Sequence, residues 1–86
     1  MKKLPETIDQ AVDELLRVLP KDNTAEITAM SKDDLIALHF GLGMWIRNNL
    51  GLWGGNRKLL QATGKEHPDD ASGVIIDALW QRLQGQ

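Results

Sequence analysis

Five polar residues carry the side chains best suited to chemistry in this chain. They are His39, Arg47, Asn48, His67 and Asp69. A histidine can act as a general base near neutral pH, and an arginine can hold a phosphate through two parallel hydrogen bonds. If the fold brings all five together, we expect a small-ligand site that binds or cleaves a phosphoester.

The same residues also have a purely structural interpretation. Arg47 lies in a long apolar stretch, and burying an unpaired guanidinium costs several kcal/mol. We therefore expect Arg47 to pair with Asp69 or Asp70, which would tie the start of the last helix to the middle of the chain. In that case the histidines have only structural hydrogen bonds, and no residue is assigned a catalytic role.

The composition excludes several kinds of site. The 86 residues include no cysteine, so there is no disulfide, thiolate metal site or cysteine nucleophile. His39 and His67 lack metal-ligand spacing, and the glycine-rich stretch 51–55 lacks the Lys-Ser/Thr pair of a phosphate loop. We expect neither a metal nor a cofactor.

Charge and hydropathy narrow the choice of partner. Ten basic and twelve acidic side chains leave a net charge of −2, without the basic density of a nucleic-acid interface. No stretch approaches the roughly 20 apolar residues of a membrane span. The basic start, Met1 to Lys3, is followed by Pro5 and Glu6 rather than by the apolar run of a signal peptide. We expect a cytoplasmic protein that binds neither nucleic acid nor membrane.

Three tryptophans make up most of the aromatic content. They are Trp45, Trp53 and Trp80. Tryptophan fills small cores efficiently and is also enriched at interface hot spots. We expect at least two of the three in the core and Trp53, beside a turn, to face outward as a binding residue. A homodimer through Trp53 or Trp80 is a further hypothesis.

The elements that must position these residues are all helical. Thr7 and Gln10 form a capping box before an apolar periodicity that predicts a helix over 7–19, ended by Pro20. Residues 21–24 are interpreted as a polar connector. A short helix over 25–30, capped by Thr24, would make a fifth helix.

The longest pattern predicts a central helix over 32–50. Its apolar residues occupy two faces, which is typical of a helix surrounded by other elements. Gly41 and Gly43 each cost about 1 kcal/mol against alanine in a helix interior, so we expect a neighbouring element to approach both closely. Gly51 suits the left-handed position that ends a helix.

Two further helices complete the predicted fold. Asn56 is a suitable N-cap for a short helix, and Pro68 and Asp70 suit the first turn of the last one. The sequence thus predicts one domain over 1–86. It is an all-α bundle of four main helices, or five with 25–30, packed around 32–50.

Two strings of the chain are distinctive: HFGLGMWIRN at 39–48 with GLW at 51–53, and HPDDAS at 67–72. They resemble the signature of a family of small bacterial all-helical domains of unknown function. The stretch 4–16 is similar to that family's first helix, so the resemblance covers nearly the whole chain. It implies a compact helical domain and singles out the candidate residues above, but it implies no catalytic assignment.

These observations favour a non-enzymatic function. With no cofactor, metal or nucleophile signature, the leading hypothesis is a small protein-interaction module of the adaptor, inhibitor or immunity type, with an unidentified protein partner. The candidate binding residues are His39, Arg47, Asn48, Trp53, His67 and Asp69. The candidate structural residues are Gly41, Gly43, Gly51, Pro68 and Asp70. The phosphoester site remains the alternative.

Overall fold

A computed structural model describes residues 3–85, so Met1 and Lys2 of the basic start lie outside the described residues. The chain forms an all-α bundle, and residues 3–85 contain no strand. Within residues 3–85, four α-helices and a central segment follow one another. They are α1 (Ile8–Val18), α2 (Lys21–Ala29), the central segment over 32–49, which ends in α3 (Met44–Asn49), then α4 (Arg57–Ala62) and α5 (Pro68–Leu83).

Helix α1 begins and ends as predicted. The Thr7 hydroxyl accepts the Gln10 backbone N–H at 3.1 Å, and the Gln10 side chain accepts the N–H of Glu6 rather than that of Thr7. The helix ends at Val18 because Leu19, which precedes Pro20, is held in an extended conformation. Its apolar face is buried in the core.

The predicted polar connector over 21–24 is wrong, because these residues form the first half of α2. The Pro20 carbonyl accepts the N–H groups of Asn23 and Thr24, which starts the helix one residue after the proline. Thr24 is therefore inside the helix, where its hydroxyl donates to the carbonyl of Lys21 at 2.9 Å. A polar helix that buries only Ile27 leaves little periodicity to detect.

The central segment is continuous but is not one α-helix. It begins as a 3-10 helix (Lys32–Leu38), widens to a π-helix (His39–Gly43) and ends as α3. Its start at Lys32 agrees with the predicted helix over 32–50 and is capped by Ser31 and Asp34, with the Ser31 N–H donating to Asp34 Oδ2 at 3.1 Å. Gly51 follows the segment with a φ of +80°, which confirms its predicted left-handed position.

The prediction that the central segment is surrounded and organises the fold is wrong. Helix α5 has that place, since it packs against α1, α2 and all three parts of the central segment. One face of the central segment is buried through Leu35, Ile46 and Leu50. The second predicted core face is exposed, with 83% of Phe40 and 74% of Ile36 open to solvent. Among the described residues, 3–85, no element covers that side.

Asn56 joins three parts of the chain at the start of α4. Its side-chain oxygen accepts the Leu59 N–H at 3.3 Å, as an N-cap should, and its side-chain nitrogen donates to the carbonyls of Pro5 and Leu50.

Pro68 is the first residue of α5, where its missing N–H leaves no hydrogen bond unmade. Every helix within residues 3–85 is too short or too polar to cross a membrane.

Candidate functional site

Arg47 is a buried cation at the centre of a polar cluster. The residue is only 8% exposed. Its Nη1 donates to the Ser72 hydroxyl at 2.9 Å, and its Nη2 donates to the His39 carbonyl at 3.4 Å. Its Nε lies 3.2 Å from Oδ1 of Asp69, which confirms the predicted pairing of central segment and α5. Asp70, the other predicted partner, is exposed.

The pair between Arg47 and Asp69 is asymmetric. The Asp69 side chain is 72% exposed, and the Arg47 Nε–H, although near the carboxylate, is not directed at an acceptor within residues 3–85. Asp69 lies in the first turn of α5, where the helix dipole favours a carboxylate. The arrangement is thus a buried cation covered by a solvated anion rather than a fully buried ion pair.

Ser72 is a member of this cluster that the sequence analysis included only within the HPDDAS motif, without predicting its contact with Arg47. The residue is fully buried, and its hydroxyl donates to the Asp69 carbonyl at 2.9 Å. Since a serine hydroxyl has only one hydrogen, its oxygen is left to accept from Arg47. The available signal was spacing, because Ser72 follows Asp69 by three residues and so lies on the same helix face.

Two glycines make room for the cluster. A Cβ on Gly43 would lie 3.0 Å from Arg47 Nη1 and 3.6 Å from Ile76 Cδ1, so the predicted close approach is confirmed there. A Cβ on Gly73 would lie 3.3 Å from Cε1 of His39, whose ring passes over α5. Gly41 is different, because no described atom apart from its chain neighbours and its own helix backbone lies within 4 Å of its Cβ position, and the predicted close approach is wrong there.

Three of the five chemically suited residues share one small pocket. His39, Arg47 and Asp69, together with Phe40, line a cavity of about 200 Å³. His39 is half-buried, and its ring makes no hydrogen bond to any described residue. The pocket therefore combines one imidazole, one largely engaged guanidinium and one exposed carboxylate.

The other two residues do not line this pocket. Asn48 is exposed, and its side-chain oxygen accepts the indole N–H of Trp53 at 2.9 Å. His67 precedes α5 as an exposed N-cap residue whose side chain has no hydrogen bond or ion pair across residues 3–85. The predicted five-residue cleft is thus divided among separate places on the surface.

The tryptophans are less buried than expected. Trp80 packs against the core and donates its indole N–H to the Met30 carbonyl at 2.8 Å. Trp45 lies at the surface, and Trp53 is 63% exposed. The outward orientation of Trp53 is confirmed, whereas the expectation of two core tryptophans is wrong.

An exposed apolar face is the second feature that the sequence reasoning missed. The apolar face consists of Ile36, Phe40, Gly41, Met44 and Trp45 on the outer side of the central segment. Beside it, Gly41, Leu42 and Trp45 line a cavity of about 440 Å³ with Val18 and Pro20. No charged residue occurs between Leu35 and Ile46. This lack of charge is the sequence signal for the exposed apolar face, but a buried helix face would have the same composition.

The remaining electrostatics do not point to a reactive group. The hydrogen bond and charge of Glu14 raise the pKa of the exposed Arg17, on α1. No group of three His, Asp or Glu side chains among the described residues could hold a metal ion.

Comparison with known proteins gives a family but no activity. No curated protein and no solved structure matches the chain. Residues 4–83 match the model of a family described as a domain of unknown function, DUF6794. That stretch includes every element of the bundle and all the candidate residues. The chain therefore belongs to the DUF6794 family.

Proposed function

We propose that this domain is a non-enzymatic protein-interaction module whose contact surface is the apolar face. The observation that supports the proposal is the exposure of Ile36, Phe40 and Met44 along one side of the central segment, at 74%, 83% and 48%. Contiguous exposed apolar surface is typical of protein-binding sites. Burying a side chain such as Phe40 contributes about 1.5–3 kcal/mol.

The state of the polar cluster also supports this proposal over catalysis. The Arg47 guanidinium is engaged by Ser72, by a backbone carbonyl and by Asp69, which leaves little of it for a substrate. The second histidine, His67, does not line the His39 pocket. An adaptor, inhibitor or immunity-type role in a bacterial cytoplasm needs a surface rather than a reactive constellation, and the cysteine-free composition fits a reducing compartment.

The test is a pull-down in which the apolar face is altered without altering the fold. Phe40→Asp should abolish capture of a stoichiometric protein partner from lysate of the source organism, because it places a charge at the centre of the face. Because Phe40 is mostly exposed, the variant should keep the wild-type circular dichroism spectrum. Gln61→Asp, an exposed change on α4, is the control and should leave capture intact.

A photo-crosslinking residue at position 40 provides a second readout. It should react with a partner chain, which can be the same protein or a different one. The proposal is contradicted if wild-type protein captures no chain and the chain with the photo-crosslinking residue at position 40 gives no crosslink at near-millimolar concentration.

The small-ligand alternative is favoured by one observation, the pocket shared by His39, Phe40, Arg47 and Asp69. A phosphate group at Arg47 would compete with the exposed Asp69 carboxylate beside it. Titration with phenyl phosphate, followed by NMR of the His39 ring, tests this function. Saturable shifts that Arg47→Lys weakens would support it, and unchanged His39 resonances at millimolar ligand would contradict it.

A further inference from the structure

We propose that the partner of the apolar face is a second copy of this chain. The two central segments would cross antiparallel about a twofold axis that passes between Phe40 and Gly41. This inference rests on the proposed function, since it names the occupant of the same surface. The proposed dimer surface differs from the one in the sequence-based hypothesis, which was a homodimer through Trp53 or Trp80.

The exposed positions of the central segment suit such an axis. Rotation about it places Phe40 opposite Gly41, Ala37 opposite Met44, and Ile36 opposite Trp45 of the other copy. All six positions are exposed in the monomer, whereas Leu35 and Ile46, which the same rotation would also exchange, are buried in the core. The face that meets its copy is therefore the one that the monomer leaves uncovered, as an isologous interface requires.

Side-chain size is complementary in this register. The two small residues, Ala37 and Gly41, each face a large one, Met44 and Phe40. Gly41 weakens a helix relative to alanine, and within the monomer no described atom apart from its chain neighbours and its own helix backbone lies within 4 Å of its Cβ position to account for it. A Phe40 ring from a second copy would occupy that open space, and small residues at a crossing let two helices approach closely.

Charge favours the antiparallel orientation and a self-contact. The uncharged stretch from Leu35 to Ile46 brings no like charges together when two copies meet. At its ends, the exposed Asp33 comes opposite Asn48. The Asn48 side-chain oxygen already accepts from Trp53, so its NH₂ group remains to donate to the Asp33 carboxylate. A parallel pairing would instead place Asp33 near Asp33, with like-charge repulsion.

The exposed area is close to what a dimer needs. The exposed fractions of Ile36, Phe40, Met44, Trp45 and Val18 correspond to roughly 400–500 Å² of apolar surface, on the scale of about 150–250 Å² for a whole aromatic side chain. A standard interface buries about 800 Å² per partner, of which about 65% is apolar in homodimers. The apolar face, together with Val18 of the neighbouring cavity, thus supplies most of the apolar part, and Asp33, Asn48 and Asn23 are available for a polar rim.

Sedimentation equilibrium of the full chain, from low micromolar to near-millimolar concentration, is the first test. We expect a monomer–dimer equilibrium that Phe40→Asp weakens by at least about tenfold. Gly41→Leu should weaken it similarly while keeping the fold, because its side chain would enter open space in the monomer. Gln61→Asp, the exposed change on α4, is the control and should leave the dimer constant within about twofold. Loss of the dimer in Trp53→Gln but not in Phe40→Asp would overturn the proposed surface.

The absence of cysteine allows a direct test of register. A mixture of Ala37→Cys and Met44→Cys chains should form the mixed disulfide faster than either variant forms its own, because Ala37 faces Met44 only in the antiparallel dimer. If two Ala37→Cys chains form their disulfide with each other faster than the mixed disulfide forms, the antiparallel orientation is wrong.

Failure of this inference can be distinguished from failure of the proposed function. A monomer at every concentration overturns the second copy as occupant. If the crosslinker at position 40 then captures a different protein, the apolar face is still an interaction surface. If it captures none, both proposals fail.

Discussion

Arg47 Nε lies 3.2 Å from Asp69 Oδ1, yet the arginine is buried and the carboxylate is solvated. This contact joins the middle of the central segment to the first turn of α5. Because Asp69 faces water, removing its partner does not leave a buried carboxylate uncompensated. The stability of the cluster therefore depends more on what surrounds the guanidinium than on the ion pair itself.

We predict that Arg47→Ala lowers the free energy of unfolding by about 2–3 kcal/mol, through the lost hydrogen bond to Ser72 and the lost packing of the side-chain stem. This is less than the 3–5 kcal/mol or so expected for breaking a fully buried pair. Asp69→Ala should cost only about 1 kcal/mol, and less in high salt, because the carboxylate is exposed. Urea denaturation measures both. A larger loss for Asp69→Ala than for Arg47→Ala would show that the ion pair dominates.

The bond between Arg47 and Ser72 should be measurable by itself. We expect Ser72→Ala to destabilise the fold by about 1–3 kcal/mol, because a buried charged donor loses its acceptor. In a double-mutant cycle with Arg47→Ala, the coupling should be about 1–2 kcal/mol. Ala71→Ser, a neighbouring core change that adds an unpartnered hydroxyl, is a control that should show no comparable coupling. Additive effects of Ser72→Ala and Arg47→Ala would contradict the direct bond.

The two glycines of the π-helix should respond in opposite directions. Gly43→Ala should destabilise the fold by about 1 kcal/mol despite better helix propensity, because the new Cβ meets the held Arg47 Nη1 at 3.0 Å. Gly41→Ala should stabilise the monomer by about 0.5–1 kcal/mol, since its Cβ position is open. Thermal unfolding at low micromolar protein compares the two variants. Stabilisation of both would show that Arg47 moves aside without cost.

Asn56 should be among the most sensitive polar positions outside the cluster. Asn56→Ala removes the cap of α4 and the two hydrogen bonds to the carbonyls of Pro5 and Leu50, so we expect a loss of about 2–4 kcal/mol. Asn56→Asp keeps the capping oxygen but not the donor. It should therefore recover only part of that loss. Chemical denaturation gives both values, and full recovery by aspartate would show that the cap alone matters.

The parts of the fold that the sequence predicted well depend on local contacts. The Thr7 cap and Pro20 bound α1, Asn56 caps α4 and Gly51 ends the central segment, each through atoms a few residues away. The first half of α2 was missed because its polar residues show little periodicity, although Pro20 starts the helix; the second half coincides with the short helix predicted over 25–30. The π-helix over His39–Gly43 was also missed. It lies beside a non-local contact, in which Arg47 donates hydrogen bonds to Ser72 of α5 and to the His39 carbonyl.

Only part of the candidate site was predicted from the sequence. The pairing of Arg47 with Asp69 followed from the cost of burying an unpaired cation, which holds in any fold. Which of Asp69 and Asp70 forms the pair, and whether it faces solvent, depends on the rotation of α5.

By itself, the sequence determined that the chain is helical, where several helices begin and end, and that Arg47 needs a partner. Caps, prolines and the free energy of a buried charge act over a few residues or on one group. Only the tertiary structure decided which apolar surface is covered. Leu35 and Ile36 are adjacent and equally apolar, yet one meets the core and the other meets water, because α5 packs on only one side of the central segment.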